Sequence, residues 1–311
     1  MIHIACAADN KYIQHTVVML TSLFENNNEN QIHIHFFSAD FSTENENKVK
    51  QTVFKYQQLF TFYPLDASLF KDCYVSDHVS FATYYRIVIP DFLIHQTNKI
   101  LYLDTDIVVC ENLKPLWDIN IENYTIGAVN EINDEGPSRL GFDEKYKYFN
   151  AGILLINAKT WVTENLKDTL FKYIKTHFNK LTFWDQDALN ANLYNKRLII
   201  DPKWNQLSSV FEVDNTTLLA YYSTSEIKQL KQFPAIIHFS GSSKPWDLLN
   251  IHPFKSIYYK YLKLTEWKNV RPKINVMNLS KLALLKFLGK KNIPLFLNCF
   301  AKFSLLIGNN C

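Results

Sequence analysis

The sequence predicts an α/β fold built on a mixed, mainly parallel sheet, and three observations carry that expectation. Short apolar runs of strand length recur at Ile2–Ala8, Ile32–Ser38, Leu59–Leu65 and Lys99–Leu103, each followed by polar residues. Segments with apolar residues at helical spacing, such as Ile13, Val17, Leu20 and Phe24, separate them. Strands that alternate with helices pair in parallel and are covered on both faces. Finally, 311 residues at 47% hydrophobic content can fill a core of that size.

The elements follow in order. Ile2–Ala8 ends on the polar turn Asp9-Asn10-Lys11, and Ile13–Phe24 is the first helix. Ser42 caps a polar helix that runs through Gln58, and Ser80 caps a second that runs to Pro90. Lys99–Leu103 stops at Asp104-Thr105-Asp106, and Ile107–Val109 resumes the apolar pattern. Tyr124–Val129 and Gly152–Ile156 are further strands, and the polar stretch Asn130–Tyr148, with Gly136-Pro137, is expected to be a mobile loop. Helices are expected over Thr163–His177 and Asp185–Tyr194, then strands at Arg197–Ile200 and Ala235–Phe239.

Composition narrows the function. The presence of only 7 glycines and the lack of a GxGxxG or GxxxxGK[ST] pattern count against dinucleotide and P-loop sites. The net charge of +3 conceals an asymmetry. From Asn269 onward there are seven basic residues and no acid, which leaves 26 basic against 30 acidic residues before it. The expected division is therefore a body over 1–268 and a basic, amphipathic, helical tail over 269–311. A mildly acidic body is not the footprint of a nucleic-acid binder. In the tail, Leu282, Leu285, Leu288, Leu295, Phe296, Phe300 and Phe303 alternate with lysines, a pattern suited to an anionic membrane surface. Packing on the body or between subunits is the competing use. Five scattered cysteines without CxxC spacing fit a reducing cytoplasm, and no signal peptide or bilayer-length apolar run is read.

Four stretches carry chemistry. A strand running into Asp104 and Asp106 places two acids at its carboxyl end, where open α/β sheets bind ligands. Such a pair suits a hard cation, Mg²⁺ or Mn²⁺, shared with phosphate oxygens; alone, it is more often a pair of loop acids that cap a helix or face water. His238, after Ala235–Phe239, could complete the metal shell or simply close a strand. Gly241 lets backbone approach a diphosphate, and Lys244 offers it a point charge, while Trp246 could be plain core. In Phe149-Asn150-Ala151-Gly152 an amide and two small residues would bond and accommodate a sugar ring, or form a strand-start turn. Asp185-Gln186-Asp187 opens a helix, where acids also serve as caps. Arg86, inside an apolar helix, needs an anionic partner, either in a cleft or in the fold. Asp9 follows the first strand, where a nucleotide often meets such a sheet.

Taken in order, Ala7-Ala8-Asp9, Thr83–Arg86, Leu101–Asp106, Leu113–Asp118, Tyr148–Asn157, Asp185–Asp187 and His238–Trp246 resemble glycosyltransferase family 8, over about residues 1–265. The resemblance is to its bacterial lipopolysaccharide galactosyl- and glucosyltransferases, with glycogenin more distant. It implies a GT-A nucleotide-diphospho-sugar transferase fold, a UDP-hexose donor, a saccharide acceptor and a retaining reaction. It further implies Mn²⁺ (or Mg²⁺) on Asp104, Asp106 and His238. Ala7, Asp9 and Tyr12 would contact uridine, and Thr105, Gly241 and Lys244 the donor with its diphosphate. Arg86, Asn150, Ala151, Asp185 and Gln186 would surround the donor sugar, with Asp185, Gln186 and Asp187 in the catalytic role and His78 at the acceptor. Lys11 departs from the family pattern, which often has Asn there. The enzyme would act on the cytoplasmic face of a membrane, on an acceptor such as lipopolysaccharide or another surface glycan. A non-catalytic UDP-sugar binder and a sugar nucleotidylyltransferase are the rival classes; the second commonly opens with a glycine-rich loop, which Ala7–Tyr12 lacks.

Overall fold

The structure is a computed structural model that describes residues 1–71, 73, 80–132 and 135–272. His78 and the tail from residue 273 lie outside the described residues.

The chain begins β1 (Ile2–Ala7), α1 (Ile13–Glu25), β2 (Ile32–Ser38), α2 (Thr43–Lys55) and β3 (Leu59–Pro64). Next come α3 (Tyr85–Leu93), β4 (Lys99–Leu103), β5 (Ile107–Val109), α4 (Lys114–Trp117) and β6 (Ile126–Ala128). α5 (Glu135–Leu140), β7 (Ile153–Asn157), α6 (Ala158–Thr163), α7 (Leu166–His177) and α8 (Trp184–Leu193) follow. The described part closes with β8 (Arg197–Ile199), β9 (Gln206–Leu207), α9 (Asn215–Leu219), α10 (Thr224–Gln232), β10 (Ile236–His238) and α11 (Lys255–Leu262).

Two sheets result, a seven-stranded one in the order β3-β2-β1-β4-β7-β6-β8 and a three-stranded one in the order β5-β10-β9. In the large sheet every neighbouring pair is parallel except those made by β7, which runs against both β4 and β6. Alternation along β1 explains the layering: Ile2, Ile4 and Cys6 face the core under α1 and α2, whereas Ala5 and Ala7 face the core under α3, α6, α7 and α8. The mixed, mainly parallel sheet covered on both faces is thus as expected.

Several elements differ from the sequence reading. The polar stretch after Asn130 contains α5, whose buried Gly136 lies close against Tyr148, and Asn130 bridges Phe149. The helix expected over Thr163–His177 starts only at Leu166, as α7, because Asn165 before it is left-handed with a φ of 51°, and a separate short helix, α6, precedes it. The helix after Ser80 starts as a 3₁₀ turn over Phe81–Tyr84 and carries Pro90 inside α3. β9, α9, α10 and α11 have only short or weakly periodic signatures and were not anticipated.

Candidate active site

The acid pair sits where the chain passes from one sheet to the other. Asp104 ends β4 of the large sheet, and its N–H donates to the carbonyl of Gly152 at 2.8 Å. Asp106 opens onto β5 of the small sheet, whose Ile107 pairs antiparallel with His238 of β10. Two separate strand registers therefore bring two carboxylates and an imidazole together. One ligand atom from each of Asp104, Asp106 and His238 lies within 4.8 Å of the others.

Each side chain is fixed by neighbours. Asp104 Oδ1 accepts from Tyr102 at 2.8 Å and lies 3.0 Å from Nη2 of Arg86. Burial raises the Asp104 carboxyl and Arg86 opposes it, with the Asp106 charge pushing upward again. Asp106 lies 3.3 Å from His238 Nε2, and its other oxygen is 2.5 Å from the Lys244 ammonium. Burial alone would raise Asp106, but the Lys244 ammonium outweighs it and holds it well below the usual carboxylate range. The two aspartate side chains keep 23% and 15% of their surface exposed, so a ligand can reach them.

His238 is oriented from behind. Its Nδ1 lies 2.9 Å from Asn205 Oδ1, an acceptor, which leaves the Nε2 lone pair facing Asp106. Asn205 Nδ2 in turn donates to Asn150 Oδ1 at 2.9 Å, and Asn150 Nδ2 donates to Glu131 at 2.7 Å. This chain of amides ending on a carboxylate is the outer support that metal-binding histidines commonly have. Gly152 completes the fit. A Cβ there would stand 2.2 Å from the His238 ring and 2.8 Å from Asp104.

The remaining expected residues fall into groups. Ala7, Asp9 and Tyr12 lie at the end of β1, with Asp9 capping the following turn through the Lys11 N–H at 2.9 Å. Tyr12 packs edge-on against Trp246, and its hydroxyl is pushed up to about 12 by burial and then by Asp106. Trp246 stacks on His15 at 3.3 Å, which ties the Gly241–Lys244 segment to α1. Gly241 has φ +82° with open space at its Cβ position, and Thr105 is buried between the acids. Arg86 is buried between Asp104 and Asp185, 3.0 Å from an oxygen of each, and donates to the carbonyl of Ala151. Its partners are thus within the fold. Burial, opposed by Arg86, raises Asp185 to about 6. Gln186 accepts from the Ala151 N–H at 2.9 Å.

Two placements change the sequence reading. Asp187 has no exposed surface, and its oxygens accept from Arg139, Tyr148, Thr182 and Phe183; it anchors the start of α8. The small residues before β7 were read as room for a sugar, yet Gly152 makes room for His238, and Asn150 spends its amide on Asn205, Gly152 and Glu131. Tyr102, Glu131 and Asn205 were not singled out. Only a polar residue inside a buried run, such as Asn205 beside Trp204, signals such a supporting role.

The decisive comparison is with the family profile described as Glycosyl transferase family 8, which matches residues 3–249. The chain belongs to glycosyltransferase family 8. Among its relatives, General stress protein A of Bacillus subtilis is 31% identical over 283 residues, covering 88% of this chain and 98% of that protein. The lipopolysaccharide 1,3-galactosyltransferase of Salmonella typhimurium is 25% identical over 281 residues, covering 86% of this chain and 79% of that one. Among solved structures, the galactosyltransferase LgtC in complex with donor and acceptor sugar analogs superposes with a TM-score of 0.77 at 21% identity, covering 90% of this chain and all of the other. The family 8 chain therefore has the GT-A fold and is a glycosyltransferase. No helix among its described residues is long and apolar enough to cross a membrane.

Proposed function

We propose that the chain transfers a hexose, galactose or glucose, from a UDP-sugar to a saccharide acceptor with retention of anomeric configuration. The observation that carries this reading is the convergence of Asp104, Asp106 and His238 beside Lys244 at one edge of the sheets. Two carboxylates and an imidazole whose Nε2 lone pair faces them are a donor set that fits Mn²⁺ or Mg²⁺. Such an ion, when bound, supplies Lewis-acid stabilisation of the departing diphosphate.

The chain's own residues do the rest. Lys244 places an ammonium where negative charge grows on the β-phosphate, and Gly241 admits the diphosphate close to backbone. Ala7, Asp9 and Tyr12 bind uridine at the end of β1. Arg86, through Asp185 and the Ala151 carbonyl, sets the wall on which the hexose rests, and Gln186 faces the anomeric carbon. Asp185 is paired with Arg86 and Thr83 and is not free to act as a nucleophile, which supports attack by the acceptor on the face that UDP leaves. The acceptor is a surface glycan such as lipopolysaccharide, lipid-linked at the cytoplasmic face of the membrane.

Asp104→Ala should abolish transfer with the fold intact by circular dichroism, and near-normal turnover would remove the assignment. A donor screen with UDP-galactose, UDP-glucose and UDP-GlcNAc in Mn²⁺ identifies the sugar; slow metal-dependent hydrolysis of one of them separates an enzyme from an inert binder.

A further inference from the structure

A second group of side chains able to bind a metal lies in the first half of β1 and β2. His33 and His35 project from the same face of β2, and His3 stands beside them on β1, where it pairs with His33. Through the β1–β4 register, which pairs Ile4 with Leu101 and Ala5 with Tyr102, His3 lies level with Ile100, four residues or ~13 Å before Asp104, and His33 and His35 sit two strands away from β4, so the cluster is distinct from the acid pair.

The geometry is that of convergence. One ring nitrogen from each of His3, His33 and His35 lies within 4.8 Å of the others, and His3 Nδ1 is 3.0 Å from His35 Nε2. Two nitrogens bound to one tetrahedral zinc ion stand about 3.3 Å apart, so that pair is already near its bound spacing. The rings also have outer partners of the kind that orient ligating imidazoles. His35 Nδ1 lies 3.1 Å from the Tyr63 hydroxyl, and His33 Nε2 lies 2.8 Å from the Thr61 hydroxyl.

Chemistry points the same way. Burial holds all three imidazoles below the ordinary histidine value, so at neutral pH they are lone-pair donors and not cations. His3 and His33 are half-buried, which leaves a route for an ion and a fourth ligand from solvent, while His35 is fully buried and anchors the set. Three imidazoles without a carboxylate favour a borderline-soft first-row ion over Mg²⁺ or Mn²⁺.

We propose that His3, His33 and His35 form a second metal site, selective for Zn²⁺, that clips β1 to β2 within the large sheet, apart from the acid pair. It is independent of the transfer reaction. An ion bound there stabilises the folded chain by mass action and leaves turnover unchanged.

The test uses the full chain without an affinity tag, saturated with Mn²⁺ and UDP. Calorimetry with Zn²⁺, and visible absorption with Co²⁺ as its spectroscopic substitute, should show one further equivalent bound with the intense band of a four-coordinate ion. The same equivalent should appear in Asp106→Asn and be lost in both His3→Gln and His33→Gln, whose transfer rates in Mn²⁺ match the parent. Zn²⁺ should raise the Tm of the parent and of neither histidine variant. Absence of a further equivalent, or one that survives both histidine substitutions, overturns the proposal. A parent and His3→Gln that bind Zn²⁺ alike would show that hydrogen bonding among the rings is the cluster's whole purpose.

Discussion

The Lys244 ammonium lies 2.5 Å from Asp106 Oδ2, so the residue proposed to hold the diphosphate is here an ion-pair partner of a proposed metal ligand. It also donates to the Phe239 carbonyl at 2.7 Å. The pair is largely buried, with 15% of each side chain exposed. A cation bound at Asp106 and Lys244 therefore compete for one carboxylate, and an arriving diphosphate gives the ammonium somewhere else to go.

Lys244→Met should consequently bind Mn²⁺ about tenfold more tightly in the absence of nucleotide. Its kcat should fall by about 10²-fold, the usual loss on removing one donor to developing charge. Titration of Mn²⁺ by electron paramagnetic resonance, set beside turnover, checks both directions. Weaker metal binding in the variant would refute the competition.

Gly152→Ala places a methyl group 2.2 Å from the His238 ring and 2.8 Å from Asp104. Because Gly152 adjoins β7, the strand itself cannot easily give way. Mn²⁺ affinity should drop at least tenfold, and overpacking should cost about 1–3 kcal/mol of stability. Metal titration and urea unfolding report the two effects separately.

Asn205 acts only through His238 and Asn150, so it is a positioning residue. Asn205→Ala should weaken Mn²⁺ binding by about 10- to 100-fold. Asn205→Asp restores the acceptor for His238 Nδ1 and should recover part of that loss. Equal affinities in the two variants would mean that the imidazole needs no such support.

His15, stacked on Trp246 and 2.8 Å from the Tyr258 hydroxyl, is held by burial at about 3. The unfolded chain protonates this ring near 6.5 and the folded chain does not, so unfolding takes up a proton between those values. Stability should therefore fall as pH drops from about 6.5 toward 3. In Tm measurements between pH 7 and 5, His15→Gln should show a shallower slope than the parent.

Deletion of residues 272–311 should release the protein from vesicles containing anionic lipid without changing its melting temperature. Equal sedimentation of both forms with such vesicles would refute the membrane role of the basic tail.

How much of this was legible in the sequence depended on the range of the interaction. β1, β2 and β4 announced themselves because apolar runs bounded by polar turns are local signals. Asp104, Asp106 and His238 were legible because their chemistry is unusual at the ends of such runs. Asn205, Glu131 and Tyr102 were not, since an amide, an acid and a phenol acquire their roles only from neighbours far away in sequence. Asp187 shows the converse. Its position beside Asp185 and Gln186 suggested chemistry, yet helix geometry turns it toward Arg139 and away from the other two. The turn at Asn165 and the short helix before it were hidden for a similar reason, because a left-handed residue between two helices has no periodic signature.

The reversal of β7 has an evolutionary consequence. Its pairing of Leu103 with Ile153 fixes the step from Asp104 to Gly152, so a single inserted or deleted residue there would exchange the two faces of the strand. Length variation is consequently barred from this antiparallel pair of strands, and it is left to the connecting segments that do not carry the acids or their supports.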